Sequence, residues 1–197
     1  MGTYRIVTDS TTDLTPELIQ ELDVQVIPLC YMMGGKTYHN IPGGGEMTDK
    51  EFYAKLRAGS MSTTTQVNSE EFLHVFTPLL EAGQDVLYIA FSSGLSGTYQ
   101  SAVLAREELK QRFPDRRLEV FNSLCASMGE GLLVYHAAKL RQAGKSLDEV
   151  LAWLKGNVLN LCHWFTVDDL NHLKRGGRVS TATALVGTML GIKPVLH

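Results

Sequence analysis

The chain has little cysteine: Cys30, Cys125 and Cys162 are its only three. They are widely spaced and form no C-x-x-C pair, which excludes a disulfide framework and a zinc knuckle and predicts a reducing compartment. Charge of one sign is lacking too. With 18 Lys+Arg against 21 Asp+Glu the formal net charge is -3, so there is no bulk attraction to nucleic acid or to anionic lipid. No uninterrupted apolar run approaches the roughly 20 residues that span a bilayer, which predicts no stable membrane insertion. The opening MGTYRIVTDS has no basic stretch followed by an apolar one, which predicts a cytoplasmic location. Nor is there a repeat, a low-complexity tract or a Pro/Ser-rich linker to mark a domain boundary.

Catalytic motifs are absent as well. AGKS at 143–146 resembles the end of a Walker A loop, but Lys139 stands where the first glycine belongs, and a helix end followed by a helix cap explains it. GGGEMT at 43–48 departs from G-x-G-x-x-G at its last position and reads as a flexible surface loop. SSGLSGTY at 92–99 lacks the nucleophile elbow G-x-S-x-G, because Thr98 replaces the second glycine. The six histidines show no ligand spacing, so no metal is implied. Asp168 and Asp169 precede an apolar helix and read as groups serving its N-terminus rather than as an acid and base pair.

What is present is an alternation of short apolar runs with longer segments of helical period, the pattern of an α/β fold with a mostly parallel sheet flanked by helices. YRIVT, VQVIPL, DVLYIAF and LEVFN read as strands. Thr15-Pro16 opens a first helix. Gly34-Gly35 predicts a hairpin. Thr48 with Glu51, and Ser146 with Glu149, form capping boxes. SMSTTTQVNS at 60–69 reads as a polar loop, and the tail from Cys162 as strand, short helix, glycine turn, helix and a last strand.

Ligands in an open α/β sheet sit beyond the carboxyl ends of the strands, and TDSTTD (8–13) and SSGLSGTY both fall there. Gly94 and Gly97 let backbone N–H groups approach a ligand, the following helix offers a positive dipole end, and Ser92, Ser93, Ser96 and Thr98 add neutral donors. This is chemistry for holding an anion; phosphate and carboxylate are equally served, and simple helix capping competes with both. A small-molecule phosphoryl- or acyl-transfer enzyme, using the Gly/Ser loop as anion site, stays open at this point, as does a regulatory interaction domain.

Taken together, IVTDSTTDL (6–14), VIPL (26–29), STTTQ (62–66), SSGLSGTYQSA (92–102), ASMGEG (126–131), FTVDDLNHLKRGGRVS (165–180) and LGIKPVL (190–196) resemble the DegV family, bacterial fatty-acid-binding proteins of the FakB type. The resemblance implies a non-catalytic carrier that binds a long-chain fatty acid, needs no cofactor, and presents the carboxylate to a fatty acid kinase. It points to Thr63, Thr64, Ser93, Ser92 and Ser96 as carboxylate contacts, with Thr65 standing where the family usually has Ser. It points to Arg175 and Arg178, in KRGGR, as contacts for phosphate or for the kinase. It also implies an N-terminal α/β domain over 1–150 and, over 151–197, the first part of a second α/β domain that relatives continue further.

Overall fold

A computed structural model describes residues 4–167, 170–180 and 195–196. In chain order these form β1 (Tyr4–Asp9), α1 (Pro16–Leu22), β2 (Gln25–Ile27), β3 (Cys30–Met33), β4 (Lys36–His39), α2 (Asp49–Arg57), β5 (Ser62–Thr65) and α3 (Ser69–Glu81). They continue with β6 (Asp85–Ala90), α4 (Thr98–Arg112), β7 (Leu118–Asn122), α5 (Ser127–Gln142), α6 (Leu147–Asn157), β8 (Phe165–Thr166), α7 (Leu170–Arg175) and β9 (Val195–Leu196). Asp168, Asp169, the helix expected after the glycine turn, and His197 lie outside the described residues.

The apolar runs become a parallel sheet in the order β2-β1-β6-β7. Its central strands are buried on both faces, which is why Val86 to Ala90 run unbroken and without exposure. Val7, Val86, Tyr88 and Ala90 face a core closed by Phe72, Phe76 and Leu80 of α3 and by Ala102, Ala105 and Leu109 of α4. On the opposite side α5 packs against β1 and β6, and α1 and α6 pack against α5. The strand order reverses direction between β1 and β6, so the loops leaving these two strands flank the topological switch point where α/β ligands bind.

Local signals set the element starts. Thr15 accepts from Leu18 N–H ahead of Pro16, and full capping boxes open α2 at Thr48, α3 at Asn68 and α6 at Ser146. Gly34 (φ 60°) and Gly35 (φ 77°) supply the two positive φ angles of a tight hairpin between β3 and β4. The stretch expected as a polar loop at 60–69 contains β5, paired antiparallel with β3 so that Tyr31 lies opposite Thr64. Four hydroxyl residues in a row hide any apolar alternation, while the β-branched threonines still suit an extended, half-exposed strand.

The chain divides into two compact units, Met1–Asn160 and Leu161–His197. Residue 150, the boundary the family resemblance implied, falls inside α6, which packs on α5 within the first unit. In the second unit β8 pairs antiparallel with β9. There α7 ends in a Schellman turn, with Gly177 (φ 76°) donating to Lys174 O (2.9 Å) and Arg178 N–H donating to Leu173 O (3.0 Å).

Gly131 is buried in α5 where the helix meets the loop after β1: a Cβ there would lie 2.6 Å from Thr12 O and 3.3 Å from Leu14 Cδ2. Helix propensity alone favours alanine by about 0.5–1 kcal/mol. The backbone contact reverses the sign, and Gly131→Ala is expected to lower stability by about 1–3 kcal/mol, read as a lower urea midpoint at unchanged m-value; a raised midpoint would contradict this packing.

Candidate functional site

The carboxyl ends of β1, β6 and β7 are laced together by side chains. Asp9, the last residue of β1, is fully buried. Its Oδ1 accepts from Thr11 N–H (3.0 Å) and Thr11 Oγ1 (2.5 Å), and its Oδ2 accepts from Tyr88 O–H (2.7 Å) and Phe91 N–H (3.2 Å). Four donors saturate the acceptor capacity of an ionised carboxylate and offset its burial. Asp9 thereby fixes the single 3-10 turn Ser10–Thr12 after β1 and the backbone leaving β6. Tyr88 stands in the core with its ring edge on Phe72, centroids 4.9 Å apart. Burial first, then the Asp9 charge, push its phenol well above the ordinary range.

The segment between β7 and α5 closes the third side. Leu124 (φ 55°) and Ser127 (φ 50°) adopt the left-handed conformation that side chains disfavour. The path lets Cys125 O accept from Ser92 N–H (3.0 Å), while Ser127 Oγ donates to Asp13 Oδ2 (2.5 Å). At the start of α5, Glu130 is buried without exposure, with Thr8 Oγ1 at 3.3 Å and Thr11 Oγ1 at 2.7 Å. Desolvation, and next the charge of Asp9, push its pKa well above the ordinary carboxyl range.

Beside the Ser10–Thr12 turn opens a cleft of about 640 Å³, within the size range of small-molecule sites. Ser10, Thr11 and Asp13 form one wall and Tyr31, Ser62 and Thr64 of the small sheet another, with Phe52 of α2 between them. Tyr31 stacks on Tyr38 at 5.3 Å and meets Phe52 edge-on at 5.0 Å. Besides the phenols and Cys30 its titratable lining side chains are Asp13, Asp49 and His39, and among the described residues no Lys or Arg lines it. The glycine loop read from sequence as a surface loop is exposed, yet Ile41, Gly43, Gly45 and Met47 line the cleft. Glu46 ties that loop to the hairpin through Lys36 (3.0 Å) and His39 (3.7 Å). The Lys36 hydrogen bond holds the Glu46 carboxyl below its usual range.

Of the residues singled out from sequence, Thr64 lines this cleft. Thr63 follows the strand alternation to the other face of β5, opposite Met32. Ser92, Ser93 and Ser96 lie in the loop after β6, largely engaged with it. Ser92 Oγ accepts from Gly94 N–H (3.3 Å), Ser96 Oγ accepts from Thr98 N–H (3.2 Å), and exposed Ser93 Oγ accepts from Asn122 Nδ2 (2.7 Å). Ser96 thus holds the first N–H of α4, whose N-cap is Gly97 without a side-chain cap.

The β5 and β6 loops are joined by Gln66, whose Nε2 donates to Ser101 Oγ (3.2 Å), and by Val67 N–H, which donates to Thr98 Oγ1 (3.3 Å). A Cβ on Gly97 would collide with the Gln66 side chain, so this glycine serves loop-to-loop packing. Arg175 and Arg178 are exposed at the α7 turn of the second unit. Asp9, Tyr88 and Glu130 escaped notice in the sequence; the available signal was Glu130 between two glycines, which lets a helix approach a neighbour closely. Among the described residues no group of His, Cys, Asp or Glu is arranged to hold a metal, and no helix is long and apolar enough to cross a membrane.

Comparison with known proteins gives this geometry its context. The family model described as "Uncharacterised protein, DegV family" matches residues 3–197. A DegV domain-containing protein of Clostridium perfringens is 45% identical over 100% of this chain and 67% of its own length, and one of Lactococcus lactis is 45% identical over 98% of this chain. The chain thus spans about two thirds of these relatives. Among solved structures, a fatty-acid-binding DegV family protein from Thermus thermophilus superposes with TM-score 0.81 at 38% identity, covering 98% of this chain and 67% of that one. DegV of Bacillus subtilis, a fatty acid binding protein, superposes with TM-score 0.81 at 30% identity, covering 100% of this chain and 68% of that one. With a full-length family match, close relatives and a shared parallel-sheet architecture, the chain belongs to the DegV family.

Proposed function

We propose that the cleft of the first unit receives the acyl chain of a long-chain fatty acid, with the carboxylate seated by neutral hydroxyl donors at its β5 end. The observation that carries this reading is the composition of the cleft among the described residues: aromatic, aliphatic and hydroxyl side chains with two aspartates, His39 and no Lys or Arg. A phosphate dianion faces two carboxylates there, with His39 the one described lining side chain able to offset them, and is disfavoured. A monoanion with an apolar tail is served by such walls, through hydrogen bonds for the head and burial for the tail. The fatty-acid-binding relatives from Thermus thermophilus and Bacillus subtilis support the same choice.

Affinity then comes from the tail. A dozen buried methylenes contribute roughly 10 kcal/mol at about 0.8 kcal/mol each, against an association cost of about 4–15 kcal/mol. Direction comes from the head: Thr64 meets the cleft, and Thr63, on the other face of β5, with Ser92, Ser93 and Ser96, in the loop after β6, complete the proposed set of hydroxyl donors. In this reading the protein is a carrier without chemistry of its own, which presents the bound carboxylate to a fatty acid kinase. Arg175 and Arg178 of the second unit, two exposed cations at a glycine turn, suit the transferred phosphate or an acidic kinase surface.

Denaturing extraction of the purified chain followed by mass spectrometry is expected to release a long-chain acid. Thr64→Val keeps the side-chain shape and removes one hydroxyl. It is expected to weaken palmitate binding about 10- to 100-fold, the equivalent of a hydrogen bond of about 1.5–3 kcal/mol to a charged group; Ser93→Ala combined with Thr63→Ala weakens binding in the same direction. Affinities equal to the parent in both variants, or release of a nucleotide in place of an acid, would contradict the assignment.

A further inference from the structure

Two carboxyl groups share one threonine. Thr11 Oγ1 stands 2.5 Å from Asp9 Oδ1 and 2.7 Å from Glu130 Oε2. A hydroxyl carries a single proton, so it donates to one of them and accepts from the other. Asp9 also receives Thr11 N–H, Tyr88 O–H and Phe91 N–H, the surroundings of an ionised group. Glu130 has no backbone donor and, among the described residues, no Lys, Arg or His paired with it. Thr8 Oγ1 lies 2.9 Å from Ile89 O and 3.3 Å from Glu130 Oε1, so its shorter bond goes elsewhere.

The proton count closes one way. Glu130 Oε2–H donates to Thr11, Thr11 donates to Asp9, and Thr8 donates to Ile89. The ionisable groups facing Glu130 are Asp9 from β1, Asp13 from the following turn, Tyr88 from β6 and Cys125 from the segment before α5. All are neutral or negative, so each disfavours a second buried anion. The position of Glu130 in the first turn of α5 favours negative charge only modestly beside the cost of burying it.

We infer that Glu130 is a positioning residue of the acyl-binding cleft: as a neutral acid it anchors Thr11, and through Thr11 and Asp9 it holds the Ser10–Thr12 turn that forms the cleft wall. This rests on the fatty-acid reading of the cleft. Ser10 transmits the hold, since its Oγ accepts from Leu29 N–H (3.0 Å) at the strand-to-hairpin corner. Loss of the Glu130 proton removes the donor to Thr11 and places a further negative charge behind a site that takes an anion. The folded state keeps this proton to higher pH than the unfolded chain. Both the cleft and the fold are therefore favoured below the unfolded carboxyl range and weaken as pH rises through the folded value.

Glu130→Gln tests this, because its side-chain N–H donates to Thr11 in place of the acid proton and does not titrate. Two readouts on the full chain are needed: the infrared carboxylic-acid C=O band, and palmitate affinity, both followed as pH is raised from the ordinary carboxyl range until the band is lost. The expected result is a protonated-acid band in the parent that the variant lacks. The parent's affinity is expected to fall as its acid band is lost on raising the pH, a component missing from the variant. A parent without the band, or identical pH profiles in parent and variant, overturns this inference alone. No palmitate binding by either protein at any pH overturns the fatty-acid reading, and the inference with it, even where the band is present.

Discussion

The buried carboxylate of Asp9 is the interaction on which the site depends. Placed at the end of β1, it accepts from the phenol of Tyr88 and the backbone of Phe91 on the neighbouring strand, and from both donors of Thr11 in its own turn. A charge without exposure costs several kcal/mol unless every acceptor is satisfied. Here the four donors come from two strands whose loops flank the switch point of the sheet. The sheet order brings these strand ends together; Asp9 converts proximity into a fixed distance. Tyr88 extends the restraint into the hydrophobic core, since its ring packs against Phe72 and Phe76.

From that tie the cleft follows as a largely preformed site. One wall is the Ser10–Thr12 turn, held from behind by Asp9 and Glu130; the other is the three-stranded sheet, whose β5 is linked onward to α4 through Gln66 and Val67. A site whose walls are ordered before the ligand arrives loses less entropy on binding. Its lining selects by charge as well as by shape. Among the described residues the walls carry aspartates, His39 and hydroxyls and no Lys or Arg, the lining on which the proposal of a singly charged amphiphile over a polyanion rests.

The architecture was legible in the sequence because local signals and periodicity agreed. The apolar runs of β1, β6 and β7, the Thr15-Pro16 helix start, the Gly34-Gly35 hairpin and two capping boxes all stand where the residues placed them. β5 was hidden because Ser62 to Thr65 present no apolar alternation; its partner β3, far from it along the chain, makes it a strand. The hydroxyl loops were visible as anion chemistry, but side-chain facing was not, and alternation along β5 separates Thr64 from Thr63. Asp9, Tyr88 and Glu130 were least legible: each lies on a different element, and only the packing of α5 across the end of β1 assembles them. Gly129 and Gly131, both buried around Glu130, are the trace that this close approach left in the sequence.

The most direct test places the ligand in the cleft. With uniformly 13C-labelled palmitate bound to the isotopically complementary protein, intermolecular nuclear Overhauser effects are predicted between chain methylenes and the rings of Tyr31 and Phe52, with the acid's carboxyl carbon shifted by its hydrogen bonds at the β5 end. Methylene contacts confined to residues outside these walls, or a labelled acid that gives no intermolecular contacts, would contradict the account.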